Sequence, residues 1–309
     1  MDSYFARHTK SILVRDVDLK ALWDDNRIAV HYPDSTKGML GKTDSKSTDP
    51  KHYVSASAKS VMNRLRELSE YGGYIWVESF VSDDGVAKIG LVEQGTEVLL
   101  TTDRQVDVDA RWDRRGNSSD FPERSSGDPA ILKTIKFSHE KTIKRHEHVG
   151  LKASRPLRRP LSRWKCGTRL EDLVKGRDPK EEWSNLSTEQ QEAACAEFLR
   201  WQTRRDDLPR LRYLILPVGR TLKDVDIYAL ADDGRKIFAQ VTYHTPSANP
   251  FDEKVGRLTA YGEDGAHLVF FGQGNAQLEN HGIKFVSVNE VTDWIHGSPP
   301  EYSAALFRS

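Results

Sequence analysis

Residues 224–243, DVDIYALADDGRKIFAQVTY, decide how this chain is read. Two runs of alternating apolar residues flank Asp233-Gly234, a dipeptide suited to a tight hairpin because its glycine tolerates positive φ. Side chains alternate faces along a strand, so the spacing predicts that Asp224 and Asp226 point the same way. On the second strand Phe238, Gln240 and Thr242 share one face, while Ile237, Ala239 and Val241 share the other. Antiparallel pairing then brings the aspartates up to Gln240 and Thr242. Two carboxylates converging at a strand end repel each other unless they share a cation. Hard oxygen donors of this kind suit Mg²⁺ or Mn²⁺, held by one or two carboxylates together with phosphate and water.

The neighbours of the hairpin extend the pattern. STEQQEAACAEFLRWQ (187–202) predicts a helix capped by Ser187, with Gln190 at the third helical position and an apolar stripe of Ala194, Phe198 and Trp201. After it come a strand over 211–219, the hairpin, a helix over 252–262, strands over 266–272 and 283–289, and a short helix through Trp294. That order predicts a mixed open sheet flanked by helices.

Helix, strand, and then Asp226 followed after 13 residues by Gln240-Val241-Thr242 resemble the PD-(D/E)XK nuclease superfamily. The likeness is to its Mrr-like branch in particular, where glutamine replaces the second acidic ligand. It covers roughly residues 187–295 and implies a restriction-endonuclease-like domain using Mg²⁺ or Mn²⁺. By that resemblance Asp226 is the metal-binding aspartate and Gln240 holds the (D/E) position, with Asp224 as a further carboxylate for the metal. Glu197 is the candidate for the helix carboxylate found in many members. Thr242 falls where the motif has its lysine. A lysine there would orient and deprotonate water and screen the phosphate, and a neutral threonine cannot. Either Lys254, about one turn into the next helix, takes over that role, or the fold is kept and hydrolysis is lost. A third reading makes both aspartates surface residues of an ordinary hairpin.

Composition bounds the rest. A chain of 309 residues is long enough for two domains of ordinary size. Lys+Arg and Asp+Glu both number 46, so bulk charge indicates no partner. Its distribution is more informative: residues 133–165 hold eleven basic and two acidic residues, whereas 83–128 hold eleven acidic and six basic. The basic stretch predicts a phosphate-binding face, with a solvated surface as the other reading. Two cysteines, Cys166 and Cys195, lack metal-ligand spacing and suit a reducing compartment. No apolar run approaches the ~20 residues of a membrane span, and the first residues lack a signal peptide's apolar core. The expectation is a cytoplasmic protein.

The first half reads as a β-rich domain. RIAVHYP (27–33) is a short strand, residues 57–70 a helix ended by Gly72-Gly73, YIWVESFV (74–81) and VAKIGLVE (86–93) a hairpin, and AILKTIKFS (130–138) a half-exposed strand. Two prolines keep ASRPLRRPLSRW (153–164) extended. This order loosely resembles PUA/EVE-type domains, and the resemblance implies a small barrel that reads modified bases. Aromatics beside basic residues are what a stacking platform or base pocket requires. The candidates are Tyr74, Trp76 and Trp164 with Arg155, Arg158, Arg159, Arg163, Lys133, Lys136 and Lys144. For most of these aromatics a place in the barrel core is the competing reading.

The expectation is therefore an α+β, α/β two-domain protein. Residues 1–165 form a PUA-like barrel that reads nucleic acid, 166–186 a linker, and 187–309 the nuclease-like domain. Its expected partner is double-stranded, base-modified DNA, and a homodimer would let both strands be cut. The function implied is a modification-dependent, type IV-like restriction endonuclease. The alternatives are a silent reader of modified DNA and an RNA-binding protein. Other motifs weigh less: His244 is a loop histidine, His146 and His148 pair without a third ligand, residues 272–277 lack the Lys-Ser/Thr of a phosphate loop, and Cys195 sits on a helix as packing.

Overall fold

The computed structural model describes residues 1–8, 16–32, 43–79, 85–102, 131–156, 159–202, 205–215, 224–242, 249–262, 265–303 and 306–307. The chain divides into two compact units, Met1–Lys180 and Glu181–Arg308. Among the described residues no helix is long and apolar enough to cross a membrane.

The first unit runs β1 (Ser3–His8), α1 (Asp16–Asp24), β2 (Arg27–Val30), α2 (Ala56–Tyr71), β3 (Gly73–Ser79), β4 (Val86–Val92) and β5 (Leu99–Thr102). It continues with β6 (Ile131–Lys136), β7 (Ser138–Lys144), α3 (Val149–Ala153), β8 (Leu161–Arg163) and α4 (Arg169–Lys175). Ser55 caps α2 by accepting from Ala58 N–H, and Gly72 ends it at φ 71°. A Cβ at Gly72 would sit 2.7 Å from the Val92 carbonyl, so both conformation and space require glycine there.

The strands form two open sheets, ordered β7-β4-β3-β1-β8 and β2-β6-β5. No closed barrel forms among the described residues, which corrects the PUA-like expectation. The reason is topological: β1 inserts parallel to β3 and pairs with β8 on its other side, while β6 joins β2 and β5.

Strand β3 is central in its sheet and is buried on both faces by the two cores packed against it. Ile75 and Val77 join Met62 and Leu65 of α2 in one core. Tyr74 and Trp76 join Phe5, Trp164 and Leu170 in another. Trp76 stands edge-on to Trp164 with centroids 5.8 Å apart. Tyr74, Trp76 and Trp164 are 5%, 0% and 3% exposed, so these three rings are core and cannot stack on a base without unfolding their surroundings. Lys133 is corrected likewise. Its strand β6 is buried from Ile131 through Ile135, and its ammonium donates to the Ser45 carbonyl at 2.9 Å. Residues 166–186, expected as a linker, divide between the units. Cys166, Leu170 and Val174 pack into the first core, and Trp183 and Leu186 into the second unit.

The second unit runs α5 (Thr188–Trp201), β9 (Leu211–Ile215), β10 (Ile227–Ala231), β11 (Lys236–Val241), α6 (Asn249–Thr259), β12 (His267–Gly272), β13 (Ile283–Ser287), α7 (Val288–His296) and α8 (Pro300–Ser303). A capping box starts α5: Gln190 N–H donates to the Ser187 hydroxyl, and Ser187 N–H to the Gln190 side chain. The sheet order is β13-β12-β11-β10-β9. Pairing is antiparallel from β9 to β11 and parallel from β11 to β13. Ile237, Ala239 and Val241 face a core shared with Cys195, Phe198 and Leu199 of α5 and Val291 and Ile295 of α7. Phe238 faces the opposite core, built on Phe251, Val255 and Leu258 of α6. Ala194 and Phe198 of the expected apolar stripe are buried, whereas Trp201 is 59% exposed and donates its indole N–H to Glu197 at 2.9 Å.

Candidate functional site

The antiparallel register pairs Ile227 with Ala239. Asp226, immediately before β10, therefore stands across from Gln240, and its N–H donates to the Ala239 carbonyl at 2.9 Å. Its carboxylate accepts the Val241 N–H at 2.7 Å and the Gln240 amide N–H. Lys254, in the second turn of α6, donates to the Val241 carbonyl at 3.1 Å. Acid, amide and ammonium thus meet at the carboxyl end of β11.

The electrostatics fit a corner short of positive charge. Burial pushes the Asp226 carboxyl above the ordinary carboxylate range, although the Val241 N–H and the Lys254 charge pull the other way. Burial also lowers the Lys254 ammonium, while Asp226 and Glu192 hold it up. Cys195 is fully buried; burial first, then Asp226 and Glu192, push its thiol well up, so it stays protonated and serves packing.

Glu192 was not singled out in the sequence. It lies on α5 with Cys195 and Leu199 at i+3 and i+7, the face turned to the sheet. That spacing was the signal that could have identified it. Glu197 is five residues on, about 140° around the helix. Its carboxylate accepts from Arg200 at 2.5 Å and from the Trp201 indole at 2.9 Å, and helps raise the Tyr302 hydroxyl, whose pKa burial drives up to about 12. Glu192, not Glu197, is the helix carboxylate whose charge reaches Lys254.

Asp224 also departs from expectation. Strand β10 begins only at Ile227, so face alternation does not govern Asp224. Its carboxylate turns to Arg257, accepting at 3.0 Å. Thr242 extends the pairing to β12, its N–H donating to the Phe271 carbonyl at 2.9 Å, and is 1% exposed.

Among the described residues no three His, Cys, Asp or Glu side chains gather as a ready metal cluster. The donor chemistry nevertheless fits one hard divalent cation. The Asp226 carboxylate, the Val241 carbonyl and, after rotation of its amide, the Gln240 oxygen are oxygen donors of the type Mg²⁺ and Mn²⁺ prefer, and Glu192 supplies further negative charge. The set of oxygen donors gathered at the end of β11 carries this fit.

The basic residues expected on nucleic acid are largely engaged with carboxylates. Arg163 pairs with Asp2 at 2.6 Å and Glu67 at 3.5 Å, Lys136 with Asp25 at 2.9 Å, Lys144 with Glu147 at 3.5 Å and Arg155 with Glu78 at 4.0 Å. Arg159 donates to the Ser60 hydroxyl. Arg158 and His244 lie outside the described residues. Residues 145–148, the two-histidine motif, form a 3-10 turn rather than a strand.

The sequence matches no family model, and it matches no curated protein. Two solved structures show similarity. One is the MspJI restriction endonuclease in complex with a 27-mer oligonucleotide: TM-score 0.33, 10% identity, covering 92% of this chain and 74% of that one. The other is an EndoMS–dsDNA complex: TM-score 0.25, 12% identity, covering 85% of this chain and 97% of that one. Likeness at these scores defines neither fold nor activity, and the functional reading rests on the site geometry.

Proposed function

We propose that this protein acts on double-stranded DNA and that its second unit is a divalent-metal-dependent phosphodiester hydrolase. The observation that carries the reading is the convergence of Asp226, Gln240 and Lys254 at one end of the sheet. Asp226, the Val241 carbonyl and the Gln240 amide would hold Mg²⁺ or Mn²⁺, with Glu192 adding charge. When bound there, such a cation would supply Lewis acidity toward a phosphoryl oxygen and would make water easier to deprotonate. Val241 N–H fixes the Asp226 carboxylate in place by donating to one of its oxygens. Lys254, already tethered to the end of β11, takes the role that Thr242 cannot. Its burial-lowered pKa makes its proton easier to release than an exposed lysine's, which suits a group that moves protons to and from water.

Finer points extend this reading. Base modification would decide which DNA is cut, with recognition by the first unit through exposed basic residues such as Arg159 and Lys136. A homodimer would cut both strands. The test is incubation of methylated and unmethylated plasmid with the protein and Mg²⁺ or Mn²⁺. Cleavage that disappears in Asp226→Ala and Lys254→Met supports hydrolysis. Retarded mobility without cleavage in either metal supports a DNA reader that has kept the arrangement without the chemistry, the reading that Thr242 favours. No interaction with DNA refutes both.

A further inference from the structure

The outer edge of the second unit's sheet is apolar and exposed. Among the described residues β9 is the last strand on that side, and its Tyr213 and Ile215 are 58% and 52% exposed. An edge strand presents unpaired main-chain groups, and proteins usually guard such an edge with charge. The first unit does so: its edge strand β7 exposes Glu140, Lys141 and Lys144. Residues 213–215 of β9 carry no charge. The strand's one cation, Arg212, is the extra residue of a bulge, since Tyr213 pairs with Leu230 and Leu211 with Ala231. Its guanidinium lies 5.5 Å from the Tyr213 ring.

The hydrogen-bond alternation shows which groups that edge offers. Ala231 N–H donates to the Arg235 carbonyl at 2.8 Å, so in step with it Ala229 bonds toward β11. Tyr228 and Leu230 between them then bond toward β9, where their partners are Ile215 and Tyr213. Leu214 N–H and C=O therefore point away from β10, to the open edge. The side chains alternate in the same register. Leu214 packs on the core under α5, and Tyr213 and Ile215 stand on the opposite face beside Leu230 and Tyr228.

We propose that β9 pairs antiparallel with β9 of a second copy about a two-fold axis at Leu214, joining two five-stranded sheets edge to edge. The proposal assigns a surface to the homodimer raised above and holds whether or not the chain hydrolyses DNA. This stretch is complementary to itself. Leu214 and its copy exchange two N–H···O bonds, and Tyr213 lies opposite Ile215 of the copy on both sides of the axis, as an isologous contact requires. An aromatic ring opposite a β-branched side chain is a favourable cross-strand pair. Across the seam one face then reads Tyr228, Ile215, Tyr213, Leu230 without a charge. The two Arg212 side chains start about 14 Å apart, beyond a Debye length, so they do not oppose the pairing. The seam involves only β9, and β11 with Gln240 stays two strands in. So short a seam belongs among interfaces below about 1,200 Å², which form reversibly.

The test is sedimentation velocity of the full chain, without DNA or metal, from about 1 to 200 µM. Growth from monomer to dimer over that range is expected. Tyr213→Lys should weaken dimerisation by about tenfold or more, because both cross-strand pairs lose their ring. Adding Ile215→Glu sets lysine opposite glutamate on both sides of the axis and should restore the dimer, whereas adding Ile215→Lys should not. Both positions are exposed, so the variants should unfold at the wild-type temperature. Leu214→Cys should close a disulfide between copies under mild oxidation, since directly opposite, hydrogen-bonded residues have Cα atoms about 5.5 Å apart. Cys166 and Cys195 are buried and do not compete, and Lys236→Cys, exposed on β11, should stay uncrosslinked. A monomer at every concentration overturns the proposal. So does a dimer that Tyr213→Lys leaves unchanged, a charge swap that fails to restore it, or equal crosslinking at position 236. None of these outcomes touches the hydrolytic reading, which is decided by cleavage in Asp226→Ala.

Discussion

Replacing Asp226 by asparagine separates a carboxylate kept for the fold from one kept for a cation. The new side chain still offers an oxygen to the Val241 N–H, which donates to the native carboxylate at 2.7 Å. Rotation of the Gln240 amide lets its oxygen accept from the new N–H₂. Both bonds survive, and the buried negative charge is removed. Because burial raises the Asp226 pKa, the folded state binds this proton more tightly than the unfolded chain does. Its contribution is fully present below the unfolded value of about 3.9 and is lost as pH rises through the folded value. At neutral pH the wild type carries the full cost and the variant carries none. A functional-site substitution of this type typically gains about 1 kcal/mol, or roughly 3–5 °C in Tm for a unit of this size. The assay is thermal unfolding of both proteins from about pH 3.5 to 7.5, with and without Mg²⁺, a range that spans the titration. The variant should gain on the wild type as pH rises, and the two should converge at the acid end. Saturating Mg²⁺, at about 100 times its Kd, should add about 2.7 kcal/mol to the wild type and nothing to the variant. A variant less stable than the wild type at every pH would show that the ionised carboxylate is a structural bond, and the argument for a cation would fail.

Five other substitutions have expected outcomes. Lys254→Met should reduce cleavage rate by a factor of about 10²–10⁴, measured on plasmid, whereas Asp224→Ala, which removes the pair with Arg257, should leave the rate within about twofold and stability within about 1 kcal/mol. Glu78→Gln should destabilise the first unit by about 3 kcal/mol in denaturant titration, because Arg145 at 3.7 Å and Arg155 at 4.0 Å lose their buried counter-charge. His8 is 1% exposed, and burial lowers its pKa to about 4. Its stabilising contribution is present above about 6.5 and lost as pH falls toward 4, about 3 kcal/mol in all, so His8→Gln should flatten acid unfolding over that window. Gly72→Ala should lower stability in the same denaturant titration by more than about 1 kcal/mol, since a Cβ at φ 71° meets the Val92 carbonyl.

What the sequence made legible was local. The hairpin around Gly234, the Ser187 capping box and the two faces of β11 follow from turn chemistry and alternation within a few residues. Asp226 opposite Gln240 follows from the same register. The misreadings came where a distant element decided. Glu192 differs from Glu197 in sequence only by its spacing to Cys195 and Leu199, a signal whose weight depends on which side of α5 the sheet covers. Asp224 reads as a strand residue until β10 proves to start three residues later. Lys133 alternates with Ile131 and Ile135, but its charge made it read as a phosphate contact, whereas the Ser45 carbonyl, far away in the chain, draws its ammonium inside. SYFARH carries no mark of a central strand, because its partners at 74–79 and 161–163 are invisible from its own neighbourhood.

That last strand sets a timetable for biogenesis. Made before either partner, Ser3–His8 finds its parallel neighbour only after β3 has been made, and its antiparallel neighbour only when Leu161–Arg163 appears. At about 5–20 residues per second, roughly 8–30 s of translation separate the first strand from the last of its ladder. Throughout that interval the apolar Tyr4, Phe5 and Ala6 present an unsatisfied edge. Slow codons or a held-up nascent chain before residue 160 would prolong it, and the first unit is where chaperone dependence should be sought.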